Sequence, residues 1–305
     1  MQVNKIDRFI LGTNPLVGTD HFLNERARER RFLLDQARIV RVVEAAVKSG
    51  ATGINIGVDE AGYSILESLE EIDFKEEIGL YVMVPDVSKY VSIQLSKGTF
   101  GLVKEVLGSL EPADTAKMLI KGTISVLTLN PYRALEVYLD VELGKLLKSK
   151  PKSTKLRGVF VHEAVTDIAV ALGAKELIKE YVRLMKKKYG TFPGFVTRNL
   201  PKFVEFLSDT EIDLSEIIIL TPFNAIGFQM TPTKDACEQV LASQPDANII
   251  AMSVLAAGQL GLDEAISYIT TLKNIRAVVV GVSTVNHAVQ TFQRLSKFFP
   301  ADRQV

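Results

Sequence analysis

The residues best suited to chemistry stand where short apolar runs give way to polar side chains. Val159, Phe160 and Val161 lead directly into His162 and Glu163. An imidazole fixed at the end of a strand, tuned by burial and a carboxylate, suits proton transfer near neutral pH. Glu163 follows it immediately, and successive side chains of an extended segment point apart, so the two are not expected to form a pair. The segment GVDEAGY supplies Asp59, Glu60 and Tyr63, and GTNPLVGTDHF supplies Asn14, Asp20 and His21. Asp59, Tyr63 and His162 are the catalytic candidates; Asn14 and Glu163 are the substrate-contact candidates.

A second constellation is suited to an anion. Ala277, Val278, Val279 and Val280 run into Gly281, Val282, Ser283 and Thr284, then into a helix-periodic stretch. Glycine permits close approach to the backbone, hydroxyls cap a helix, and free amides with the helix dipole favour a phosphate. Ser253 and the small run Ala256, Ala257 and Gly258 leave room for a cofactor beside that turn, and Arg198 offers a cation. The competing reading is that these small residues only permit tight turns. The expected partner is a small molecule with a phosphate or other anionic group. Asp20, His21, Asp59, Glu60 and Asp86 show no HxH or HExxH spacing, so no metal is expected. His287 reads as an exposed helix position, and Cys237, in TKDACEQVL, as packing.

Eight apolar runs must position these residues: 9–11, 53–56, 80–84, 158–161, 194–196, 217–220, 249–252 and 277–280. They are apolar at consecutive positions, as parallel strands covered on both faces must be. Helix-periodic stretches such as 37–48, 174–188 and 288–298 alternate with them. Eight evenly spread strands, with no GxGxxG after the first, predict an α/β chain folded as one TIM (β/α)8 barrel over 1–305. In that fold the residues just past each strand converge on one face. The interval 86–155 is too long for one βα unit and predicts a helical insertion between strands three and four. Its extra helices fall near 115–127 and 132–147, as a lid, a homo-oligomer contact or padding.

Composition narrows the partners. Thirty-six basic residues balance thirty-six acidic ones, which argues against a nucleic-acid binder. Cys237 is the only cysteine, and no run approaches the ~18 apolar residues of a membrane span. The expectation is a soluble, cytoplasmic protein with no nucleic-acid or membrane partner.

Three segments resemble the aldo-keto reductase superfamily, barrels that reduce carbonyls with a nicotinamide cofactor. GINIGVDEAGYSILESL resembles the family segment that carries its catalytic Asp and Tyr. IIAMSVLAAGQL resembles the seventh strand, and VVVGVSTVNHAVQTF the eighth strand with its phosphate-binding turn. The resemblance places the family's proton-donating tyrosine on Tyr63 and its strand-four histidine on His162. Its aspartate falls on Val58, with Asp59 one position away, and its strand-three lysine has no counterpart near Val84 and Pro85. The resemblance implies an NADP- or NAD-linked carbonyl oxidoreductase. Two other readings stand beside it: a non-redox lyase, isomerase or hydrolase acting on a phosphorylated or carboxylated small molecule, and a non-catalytic ligand-binding barrel.

Overall fold

The computed structural model describes residues 5–16, 35–85 and 131–299. Eight parallel strands pair in sequence order: β1 (Phe9–Gly12), β2 (Gly53–Gly57), β3 (Ile78–Val84), β4 (Thr154–Val161), β5 (Phe192–Val196), β6 (Ile218–Pro222), β7 (Asn248–Met252) and β8 (Ile275–Gly281). Phe9 to Gly12 register against Val278 to Gly281, which closes the sheet into a TIM barrel. Every predicted strand overlaps one of the eight.

The helices are α1 (Gln36–Lys48), α2 (Glu60–Glu70), α3 (Pro131–Ser149), α4 (Glu163–Ala171), α5 (Lys175–Leu184), α6 (Leu200–Ser208), α7 (Lys234–Ser243), α8 (Leu262–Thr271) and α9 (Val285–Phe298). Polar side chains start most of them. Asp35, Asp59, His162, Asn199, Thr233 and Thr284 each accept a backbone N–H from the first turn of the helix that follows.

The interval 132–147, expected as an extra helix, is part of α3 and packs between α2 and α5. Among the described residues it is the helix of the β3 to β4 crossover. The other expected helix, 115–127, lies outside the described residues, as do Asp20, His21 and Asp86.

Alternation along each strand sorts the apolar residues into two layers. One set, including Ile54, Ile56, Val82, Val159, Val161 and Ile219, packs outward against the helices. The other, Ile10, Tyr81, Phe160, Val196, Ile218, Leu220, Ile250 and Ala277, fills the barrel. Two glycines make room for its largest member. A Cβ on Gly194 would meet the Phe160 ring at 2.6 to 2.8 Å, and one on Gly158 would meet it at 3.1 Å. Phe160 also lies 6.1 Å from the Tyr81 ring, which fixes it from the other side. Gly194→Ala should therefore overpack the barrel and destabilise the fold by about 1–3 kcal/mol. Urea unfolding checks this, and an unchanged midpoint would show that Phe160 is free to shift.

A polar group sits at the N-terminal end of the barrel. The Tyr81 hydroxyl accepts the Asp7 N–H at 2.6 Å and donates to the Asp7 carboxylate at 2.9 Å. Arg157 lies 3.5 Å from Asp7 and 3.1 Å from Glu77. Arg157 is the extra residue of a bulge, since Leu80 registers with Leu156 but Tyr81 with Gly158. In this fold that end serves stability, and the opposite end carries the working residues.

Candidate functional site at the barrel mouth

His162 is placed by the start of α4. Its N–H donates to the Val84 carbonyl at 2.7 Å, tying it to β3. Its φ and ψ of −56° and 144° keep the chain extended, so strand alternation continues. Phe160 faces the barrel axis and Val161 the helices, which sets His162 on the inner rim. Nδ1 accepts the Ala164 N–H at 3.2 Å. With Nδ1 committed as acceptor, the neutral ring carries its proton on Nε2. The partly buried imidazole therefore offers a hydrogen-bond donor, the arrangement that polarises an oxygen.

Asn55 is a mouth residue that the sequence reading did not single out. Ile54 and Ile56 pack against the helices on either side of it, so Asn55 faces inward. Its Nδ2 donates to the Tyr81 carbonyl at 3.0 Å, which leaves Oδ1 as the acceptor it can present. Its own carbonyl accepts the Thr13 hydroxyl at 2.8 Å. The signal that could have found it is the alternation in GINIG, where one polar residue stands between two outward isoleucines.

Tyr63 is placed elsewhere. It lies in α2, packs with the helix-side apolar layer, and has the Lys145 ammonium of α3 3.9 Å from its ring centre. Burial, reinforced by the negative charges of Glu142 and Asp59, pushes its phenol up to about 12. A tyrosine that must release a proton near neutrality needs a shift in the opposite sense. Asp59 is occupied as the cap of α2, its Oδ1 accepting the Gly62 N–H at 2.7 Å. Of the catalytic trio expected from the sequence, His162 follows β4, and Asp59 and Tyr63 stand at the cap and first turn of α2, which follows β2.

Arg198 and Glu163 meet each other. The guanidinium of Arg198, just past β5, donates to the Glu163 carboxylate at the first position of α4. Arg198, expected at a cofactor anion, and Glu163, expected at a substrate, are thus brought together as an ion pair. Beside them the Thr197 hydroxyl donates to Asp167 at 2.6 Å, fastening α4 to the end of β5. Asn14 is exposed in the turn after β1.

The expected anion turn is assembled differently from the sequence picture. A Cβ on Gly281 would meet Pro15 at 2.7 Å, so its missing side chain admits the β1 loop and not a ligand. The Thr284 hydroxyl accepts the His287 N–H at 3.2 Å. The Val285 and Asn286 amides, in the first turn of α9, have no acceptor within the helix. Arg38, on α1, was not foreseen; its guanidinium donates to the Ser283 carbonyl at 2.8 Å. A cation thus stands beside the N-terminus of a helix of 14 residues, and the two together favour an anion.

The loop after β7 carries unusual backbone. Ser253, Ala256 and Ala257 have φ of 53°, 46° and 55°, and Gly258 has 88°. Gln229, in the loop after β6, has φ of 61°, and its Oε1 faces the Ser253 hydroxyl at 3.4 Å. Left-handed conformations outside glycine cost about 1–3 kcal/mol each and gather where a surface must hold a set shape. Gly258 is required by its φ, since a Cβ there would meet nothing within 4 Å.

The comparisons with known proteins agree with this geometry at the level of the fold. No family model matches the sequence, and neither does any curated protein. Among solved structures, a Pseudomonas aeruginosa protein provisionally assigned to the aldo-keto reductases superposes with a TM-score of 0.56 at 14% identity, over 96% of this chain and 91% of that one. The fold is that of the aldo-keto reductases. A holo aldo-keto reductase from Bacillus halodurans superposes at 0.54 with 10% identity, over 94% and 86% of the two chains. An aldo-keto reductase from Klebsiella pneumoniae in complex with NADPH superposes at 0.51 with 13% identity, over 97% and 93%. Among the described residues, no helix is long and apolar enough to cross a membrane.

Proposed function

We propose that this chain is a nicotinamide-linked oxidoreductase that interconverts a small carbonyl compound and its alcohol at the C-terminal mouth of the barrel. The observation that carries the reading is the state of His162. Its Nδ1 is fixed as an acceptor within the fold, so Nε2–H is the donor at the inner rim. Such a donor stabilises the negative charge that grows on a carbonyl oxygen as the carbonyl is reduced. The aldo-keto reductase fold, and the NADPH bound by one of its structural neighbours, support the cofactor class.

The donor set fits a nucleotide phosphate. The first-turn amides of α9 and the Arg38 guanidinium would hold it. When bound, a reduced nicotinamide supplies hydride to the carbonyl carbon. The protein's part is then to hold the carbonyl oxygen on His162 Nε2–H and stabilise the charge that grows there, while solvent supplies the proton of the new alcohol. This reading gives Tyr63 no role, because it packs with the helix-side layer against the Lys145 ammonium.

Titration of NADPH and NADH, followed by nicotinamide fluorescence, tests the cofactor assignment. Saturable binding is expected, and Arg38→Ala should weaken it about 10-fold or more through loss of a charge-assisted contact. No binding at millimolar cofactor would overturn the reading. One observation favours a second reading, a non-redox barrel enzyme in which His162 acts alone. The inward position near the end of β3 is Met83, which brings no cation to tune a proton donor.

A further inference from the structure

The ring helices of a barrel turn large apolar side chains inward and polar ones to solvent. α5 buries Ile178, Tyr181 and Val182 in this way, and α6 buries Phe203, Phe206 and Leu207. α4 is built the other way round. Its buried face holds Thr166 and Ala169, with the Thr166 hydroxyl donating to the Val161 carbonyl at 3.2 Å. Val165, Ile168 and Leu172 face outward and are 39%, 59% and 78% exposed. Leu172, the cap residue, keeps helical φ and ψ, so the three fall on one stripe. Among the described residues eight large apolar side chains are exposed, and the other five are scattered over α3, α9 and the loop after β6. Scattered singly they need no explanation, whereas a contiguous stripe marks a contact surface.

The spacing of the stripe names its occupant. Steps of three and then four residues are those of a coiled-coil seam, which is narrower than the face a helix shows to a core and takes a second helix. An identical helix supplies an identical seam, and a closed twofold pairing sets each patch against its own copy. The surrounding charges agree. α4 packs against α5 and α6. Lys179 pairs with Glu176 at 2.8 Å on α5, Lys202 with Glu205 at 3.0 Å on α6, and Lys175 with Asp209 at 2.8 Å from the start of α5 to the end of α6. An apolar centre with a polar rim is the anatomy of an interface, and a rim of both signs does not repel its own copy. Thirty-six acidic and thirty-six basic residues leave the chain without net charge, which favours self-association.

We propose that the chain forms a twofold homodimer in which α4 pairs antiparallel with α4 of a second copy, Val165 against Leu172 and Ile168 beside its counterpart at the axis. Antiparallel pairing sets the N-terminus of each helix beside the C-terminus of the other, as the helix dipoles favour. The contact lies on α4, outside the interval 86–155 in which the sequence suggested one. The first turn of α4 also carries the His162 cap and the Glu163 to Arg198 ion pair, so the pairing braces the helix that holds His162.

Sedimentation equilibrium of the full chain tests this, with twice the 33.6 kDa of one chain as the expected mass. Ile168→Lys should sediment as a monomer with an unchanged circular dichroism spectrum, because the side chain it replaces is exposed within one chain. Ile168→Cys should form a disulfide-linked dimer on mild oxidation. The parent should not, since its single cysteine, Cys237, is 1% exposed. A monomeric parent, a dimer that Ile168→Lys leaves intact, or an Ile168→Cys dimer that fails to cross-link would each overturn the proposal. With a monomeric parent, the reaction of Leu172→Cys with a maleimide would show what takes the face instead. Slow reaction would give it to another part of the same chain, and fast reaction would leave it to a different protein.

Discussion

His162→Asn is expected to fold like the parent chain and to lose turnover by about 100- to 1,000-fold, the usual worth of one donor to a developing oxyanion. The argument turns on the two ring nitrogens. Nδ1 caps α4 by accepting the Ala164 N–H, and the Oδ1 of asparagine sits where Nδ1 does and is among the best caps available. Asparagine therefore keeps the cap and removes the Nε2 donor. Glutamine has the complementary effect. Its amide nitrogen reaches the region of Nε2, while the cap is lost at a cost of about 0.5–2 kcal/mol. His162→Gln should be the less stable variant and the more active of the two, since its amide N–H can still hold a carbonyl oxygen. Melting curves and turnover measured on the same samples separate these effects. An asparagine variant with undiminished turnover would remove His162 from the reaction.

The second large effect is on stability. Arg157→Ala should cost about 3–5 kcal/mol near neutral pH, because it leaves a buried carboxylate without its cation. The Asp7 and Arg157 side chains are only 5% and 10% exposed, so solvent does little to replace the partner. Burial holds the Asp7 carboxyl above its ordinary range, opposed by the Tyr81 hydrogen bond and the Arg157 charge. A carboxyl whose pKa is raised on folding contributes stability at low pH that is lost as pH rises through the folded value. Removing Arg157 raises that value further. The destabilisation should be full once Asp7 is ionised and shrink as acid protonates it, because a neutral carboxyl needs no counterion. Urea unfolding across that pH range checks the sign, and a loss that grew toward acid would contradict it.

The strands were legible because a parallel barrel strand is apolar on both faces, as in residues 277–280. They were read short where a polar start hid them. β4 begins at Thr154, and Arg157 looks like a strand breaker until the bulge shows it turned to Asp7. His162 was legible because it follows its strand directly and the pleat carries its direction. The surroundings of Tyr63 were less legible. Spacing to a family motif says nothing of which face of α2 a residue takes, and that face meets Lys145 of α3. Contacts between distant segments were out of reach. Arg38 and Ser283 are 245 positions apart, Arg198 and Glu163 are 35 apart, and both pairs meet only because the barrel sets their strands and helices side by side. Pro15 against Gly281 belongs to the same class: the closure of β8 on β1 brings them together, and a glycine that reads as space for a ligand is space for a neighbouring loop.

The most direct measurement is the ultraviolet absorbance of NADPH mixed with the protein and a panel of small ketones and aldehydes, including methyl butyl ketone, acetophenone and dihydroxyacetone. Loss of absorbance matched mole for mole by alcohol, abolished in His162→Asn, is the expected result. Steady absorbance with every member of the panel, in protein shown by titration to bind NADPH, would contradict the assignment of carbonyl reduction to this barrel.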